Sequence, residues 1–235
     1  MIKYLKLELI RTKLTSYNKA VAVIGIILFL FLYLLAAIPT FDPEETDLTI
    51  LNSYHSLLNV ENIVTMAIFS VLASVLGSKL IINEYTKEKV ILLFIYPVGR
   101  TKIFYLKISI IFFYTVLAML ISNGVLQLIF FAGESIHPFV QQTLTLTVVM
   151  NSLVSLFLFS LLAGLLGILA IFIGFRKKSI AGRIVAGCII ACIFAQVMAA
   201  ALNSNLIALA IFILLTLITS FCLKNLSQQV EQLEV

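Results

Sequence analysis

QQTLTLTVVMNSLVSLFLFSLLAGLLGILAIFIGFRKK, residues 141–178, carries no charge until Arg176, Lys177 and Lys178 close it. As a helix, 141–175 would be about 50 Å long, against a hydrocarbon core of ~30 Å. Such a run reads as a transmembrane helix with a basic stop. It either tilts and protrudes or breaks, and Gly164 and Gly167 are the expected bending points.

Working outward, five more apolar segments are long enough to span: 20–38, 63–82, 103–132, 182–202 and 206–223. Together with 141–175 they divide the chain into seven polar pieces. All sixteen Lys and Arg lie in the first, third, fifth and seventh pieces or at the segment ends beside them. The other three pieces hold Asp42, Glu44, Glu45, Asp47, Glu61 and Glu134. The positive-inside rule then places both termini in the cytoplasm of a multi-pass cell-membrane protein. The expected fold is all-α and polytopic, a single transmembrane domain over 1–235 with six spans.

Composition agrees. The chain is 62% hydrophobic and 11% charged, where a soluble domain is roughly 25% charged. The net charge of +5 sits beside spans, where it holds topology and meets anionic headgroups, so nucleic-acid binding is not implied. Residues 1–19 read as a basic amphipathic helix in the interface, with Ile2, Leu5 and Leu9 on one face. Ser16 and Asn18 offer N-cap chemistry for the first span. That span is too long for a signal-peptide core, and Ile38-Pro39-Thr40-Phe41 does not resemble a cleavage site, so it is expected to be retained. Pro39 and Pro43 are expected to stop it, opening an exterior loop over 39–61 that includes a short helix. The tail, 224–235, is polar.

The cysteines, Cys188, Cys192 and Cys222, are odd in number and lie in apolar segments, so no disulfide framework is implied. His55 and His137, the only histidines, fall in exterior pieces, so no metal site is expected. No acid or His lies within a span, which argues against an intramembrane protease. The same lack of midplane charge argues against an ion-coupled carrier.

The interior loop 83–102 carries the most specific pattern: Glu84-Tyr85-Thr86-Lys87-Glu88-Lys89, an apolar run from Val90 to Ile95, then Tyr96-Pro97-Val98-Gly99-Arg100. It reads as a short amphipathic helix halted by Pro97. Periodicity leaves two roles open: a helix presenting charge to a cytosolic partner, or a re-entry loop packed on its own protein.

On these residues the chain resembles the bacterial ABC type-2 exporter permeases, whose signature places an acidic residue and a Thr or Lys before "LLxxYPVxR". Glu84, Thr86, Leu92, Leu93, Tyr96, Pro97, Val98 and Arg100 match it. Six spans, inside termini and a loop between spans two and three extend the likeness over the whole chain. The resemblance implies a coupling helix that docks into a separate ABC ATPase, with Glu84, Tyr85, Thr86, Lys87, Glu88 and Arg100 contacting it or ordering the loop, and Tyr96 and Pro97 setting its shape. The chain has no G-x-x-x-x-G-K-[ST] loop. ATP and Mg would therefore belong to the ATPase, with no cofactor here and no catalysis by this chain. A six-span chain would need a second permease, either its own copy or a related one. Several family members carry a sizeable re-entrant element between spans five and six, whereas this sequence has only Asn203-Ser204-Asn205 there, unless span five itself ends in such an element.

Polar residues inside spans are few. Asn123 and Gln127 share a face of span three, Asn151 and Ser155 share one on span four, and Gln196 lies in span five. They form either a weakly polar substrate path or hydrogen bonds between helices, and the second is the commoner use. Gly187, Ala191, Ala195 and Ala199 form a small-residue ridge on span five, a face for a dimer or for an internal helix. The resemblance favours the dimer. Apolar walls suit amphiphilic cargo such as a lipid, a hydrophobic peptide or an antimicrobial compound, with resistance or self-immunity as the role. A non-transporting scaffold or sensor subunit is the alternative, and an ATP-independent carrier a more distant one.

Overall fold

A computed structural model describes residues 14–41, 53–82, 100–136, 139–140, 142–177, 180–200 and 205–231. Every regular element among them is a helix: α1 (Thr15–Phe41), α2 (Tyr54–Gly77, continued by a π-helical turn, Ser78–Ile82), α3 (Arg100–Ile136), α4 (Leu146–Lys177), α5 (Ile180–Ala200) and α6 (Asn205–Glu231). A bilayer offers backbone groups no water, so a spanning segment must satisfy them itself, and a helix does. Five of the six helices are long and apolar enough to cross a membrane. The apolar part described in α5, Ile184–Ala200, is shorter.

Helices α2 and α4 form the centre, with two-thirds (67%) of each span buried, against 17% for α1 and 22% for α6. The main core gathers Leu28 and Leu32 of α1, Met66 and Phe69 of α2, Phe159, Leu162 and Leu166 of α4 and Leu215 of α6. A second cluster at the basic end joins Leu80, Ile81, Phe104, Ile108, Ile111, Ile171 and Leu226. Aliphatic side chains on the outer faces of α1, α3 and α6 remain exposed, as lipid-facing surfaces do.

The expected span four starts at Leu146 rather than 141 and is one unbroken helix from there. Helix α4 is continuous for 32 residues, about 48 Å. Gly164 and Gly167 mark close approach. A Cβ on Gly164 would lie 2.7 Å from the Phe112 ring, and one on Gly167 would strike the Ala73 side chain. Small residues let helices approach where apolar side chains alone give no drive to associate in lipid.

Several boundaries move. Helix α1 runs through Pro39 to Phe41, because a proline near a helix end forfeits only one late hydrogen bond. Ser16 and Asn18 lie inside α1 rather than capping it, and Asn18 Oδ1 instead accepts from the Tyr114 hydroxyl at 2.8 Å. Helix α2 starts at Tyr54, nine residues before the expected 63, with Ser53 as its N-cap. The polar run His55, Ser56, Asn59, Glu61, Asn62 reads as loop but lies in α2, so the expectation that no acid or His falls within a span is overturned: His55 and Glu61 lie in one candidate span and Glu134 in another, because their side chains find partners in the bundle. Residues 100–102, assigned to the loop, open α3, and α6 extends beyond 223 to Glu231. Residues 1–13, most of the expected interfacial helix, lie outside the described residues, as do 42–52 and 201–204.

Candidate functional site at the seam of α2 and α3

Helices α2 and α3 flank residues 83–99, which lie outside the described residues together with Glu84, Tyr85, Thr86, Lys87, Glu88, Tyr96 and Pro97. Arg100 is the first residue of α3 and its side chain is likewise undescribed. What the structure gives is the seam joining the two helices. It is bridged by side-chain hydrogen bonds at three levels. Tyr54 pairs with Glu134, Asn62 with Asn123, and Leu80 with Lys107, an antiparallel register. From Lys107 to Glu134 it covers about 40 Å of helix, the depth of a bilayer with its headgroups.

At the acidic end Glu134 is buried. Its carboxylate accepts from the Tyr54 hydroxyl at 2.9 Å and from the backbone N–H groups of Phe139 (3.1 Å) and Val140 (3.3 Å). The Tyr54 N–H donates to Gln142 Oε1 at 3.0 Å. One carboxylate thus ties the turn after α3 to the first residue of α2.

The middle level is fully enclosed: Glu61, Asn62, Thr65 and Asn123 have no exposed surface and Gln127 almost none. Asn62 Oδ1 is the hub, accepting from Asn123 Nδ2 at 2.9 Å and Gln127 Nε2 at 3.3 Å. Glu61 accepts from the Thr65 hydroxyl at 2.8 Å and from Gln127 Nε2 at 3.4 Å. Asn62 Nδ2, Asn123 Oδ1 and Gln127 Oε1 are left without partners. Each such atom costs on the order of 1–3 kcal/mol when buried, so the level is less stable than its bond count suggests.

At the basic end the buried Lys107 ammonium donates to the Leu80 carbonyl at 3.2 Å, within the π-helical turn. A π turn breaks the i→i−4 ladder, and a cation there holds a displaced carbonyl. Lys79, on the same turn, lies 5.3 Å from the centre of the Tyr17 ring of α1, a cation–π distance. The last turn before residues 83–99 is therefore gripped by both neighbouring helices.

The five polar residues read as a substrate path separate. Asn123 and Gln127 hydrogen-bond across to α2. Asn151 and Ser155 line a cavity of about 30 Å³ with His55, Asn59 and Ser152, room for a water or two. Gln196 is exposed on α5. The ridge on α5 also divides. A Cβ on Gly187 would lie 2.6 Å from Ser74 Oγ of α2, Ala191 is buried and Ala195 packs on the main core. These three serve contacts within the chain, and Ala199 is exposed. Tyr54, Glu61, Asn62, Lys107 and Glu134 were missed as site residues. The i, i+4 pair Asn123/Gln127 was the available signal, since it called for a polar partner on a neighbouring span. Among the described residues no group of three His, Cys, Asp or Glu side chains is placed to hold a metal.

The fold is that of a multi-pass membrane bundle, with five helices long and apolar enough to cross a bilayer. The family model for ABC-2 family transporter proteins matches residues 5–191. The chain belongs to the ABC-2 transporter family, whose members are membrane components working with ABC ATPase subunits. It is 26% identical over 188 residues to YcbO of Bacillus subtilis (strain 168), described only as uncharacterized, covering 79% of this chain and 80% of that protein. No solved structure matches it.

Proposed function

We propose that this chain is the permease subunit of an ATP-driven exporter of amphiphilic or hydrophobic compounds, a peptide, antimicrobial or lipid, and that it makes no catalytic contribution of its own. A separate ABC ATPase, carrying ATP and Mg, docks on residues 83–102. A second permease chain, identical or related, completes the path. Both termini face the cytoplasm, on the charge asymmetry of the polar pieces.

The observation that carries this reading is the seam. Helices α2 and α3 enter and leave the docking loop and are joined to each other at three levels (Tyr54–Glu134, Asn62–Asn123 and Leu80–Lys107). A push on the loop is therefore shared between the two helices. Lys107 and the π turn receive the displacement first. The underpartnered middle level is where the pair separates most readily, since three of its polar atoms have no bonds to lose.

The test is co-purification of the tagged chain with its candidate ATPase, for wild type and for Glu84→Ala/Arg100→Ala, followed by ATP turnover in lipid nanodiscs. Association and turnover lost in the double variant support the reading. A chain that recruits no ATPase refutes it, and recruitment indifferent to the loop refutes the docking assignment.

A further inference from the structure

We propose that the groove between α1 and α3 holds one acyl chain of an anionic phospholipid, taken from the leaflet at the basic end of the bundle. The groove encloses about 780 Å³. Its floor is where the helices meet at Gly25 and Ser122, a Cβ on Gly25 lying 3.0 Å from Ser122 Oγ. The small Ala22 and Ala118 keep it open, and the exposed Ile26 and Ile121 wall it. Apart from Ser122 in the floor, its polar lining lies at one end, where the Tyr114 hydroxyl donates to Asn18 Oδ1. Lys19 is exposed directly beside that end.

Length narrows the occupant. The groove runs from Asn18 to Phe29 along α1, about 17 Å of helix, and from Tyr114 to Ile129 along α3, about 22 Å. That is more than half of a ~30 Å hydrocarbon core, so a chain entering at the polar end reaches past the middle of the bilayer. An apolar slot of that depth with a polar mouth and a cation fits a fatty chain beneath an anionic headgroup, and Lys/Arg near such a surface are attracted to it. A second copy fits poorly. A two-fold contact sets a patch against itself, and groove on groove would enclose a void that packed interfaces avoid. The inference goes beyond the transport reading and needs no ATPase; for the choice of leaflet it rests on the topology proposed above.

The test uses the full chain in nanodiscs containing phosphatidylglycerol with a diazirine in its acyl chain, and in parallel phosphatidylcholine with the same chain. Labelled positions are mapped by peptide mass spectrometry. Label concentrated on 21–29 and 117–129, at least fivefold above the outer faces at Leu30 and Leu217, is expected. Ala22→Phe, filling the slot from an exposed position, lowers that label about tenfold, while Leu30→Phe, the same ring outside the slot, leaves it unchanged. Lys19→Gln removes the preference for phosphatidylglycerol. Even labelling over the lipid-facing surface, or labelling untouched by Ala22→Phe, overturns the site. Disulfide-linked pairs formed by Ala22→Cys, with Cys188, Cys192 and Cys222 replaced by Ala, would show a second copy there and overturn it too. In the same background, Lys19→Cys labelled from outside intact cells by an impermeant maleimide overturns the choice of leaflet, independently of whether the slot is occupied.

Discussion

Removing the Glu134 carboxylate should cost this bundle more than any other single truncation at its acidic end. It is the common acceptor for three donors, the Tyr54 hydroxyl and the N–H groups of Phe139 and Val140. Val140 and Tyr54 are buried, so in Glu134→Ala their donors are stranded where water does not reach them. The Phe139 N–H, on an exposed residue, is resolvated cheaply. Taking about 1–2 kcal/mol for each stranded donor, Glu134→Ala loses about 3 kcal/mol. Glu134→Gln keeps an acceptor oxygen at Oε2, where all three donors meet, and should lose only the extra strength of bonds to a charged acceptor, about 1 kcal/mol. Tyr54→Phe removes donor and demand together and should cost about 1 kcal/mol. A double-mutant cycle between Tyr54→Phe and Glu134→Ala should give a coupling of about 1 kcal/mol, as expected for bonded neighbours. Reversible SDS unfolding in mixed micelles, followed by circular dichroism, measures all four. A loss below about 0.5 kcal/mol for Glu134→Ala, or a coupling of zero, would refute the claim that this carboxylate ties the turn after α3 to α2.

At the middle level Asn62→Leu should destabilise more than Asn123→Leu, because Asn62 is the shared acceptor. The double change Asn62→Leu/Asn123→Leu should cost less than Asn62→Leu alone, since it removes the Asn123 donor together with its acceptor and leaves Gln127 its bond to Glu61; unfolding titrations of the three check this. Gly167→Ala should cost about 1–3 kcal/mol through overpacking against Ala73, and Ala73→Gly in the same chain should recover most of it, read as paired melting temperatures in detergent. Lys107→Met should leave ATPase association intact while lowering transport-linked ATP turnover several-fold in nanodiscs, because it frees the Leu80 carbonyl beside the docking loop. Equal turnover in wild type and Lys107→Met would remove that residue from the coupling path.

Membrane residence and helical class were legible without coordinates. Long uncharged runs such as 141–175 cannot be accommodated except in lipid, and lipid admits only elements that satisfy their own backbone. The family was legible in one short stretch, since Leu92, Leu93, Tyr96, Pro97, Val98 and Arg100 follow a spaced pattern that needs no folding to be recognised. Tertiary structure alone decided what the polar residues in and beside the spans do. Glu61 and Asn62 look like exterior loop because hydropathy averages over a window, and a window cannot register that Gln127, more than sixty positions away, will donate to both. Gly164 and Gly167 read as bending points because glycine weakens a helix; only the fold shows that α4 meets Phe112 and Ala73 there. The same holds for Gly187, whose missing side chain makes room for Ser74 of its own chain. Periodicity and charge act along the sequence and can be read there. A buried polar group or a missing side chain takes its meaning from whatever lies opposite, and only the packed bundle supplies that partner.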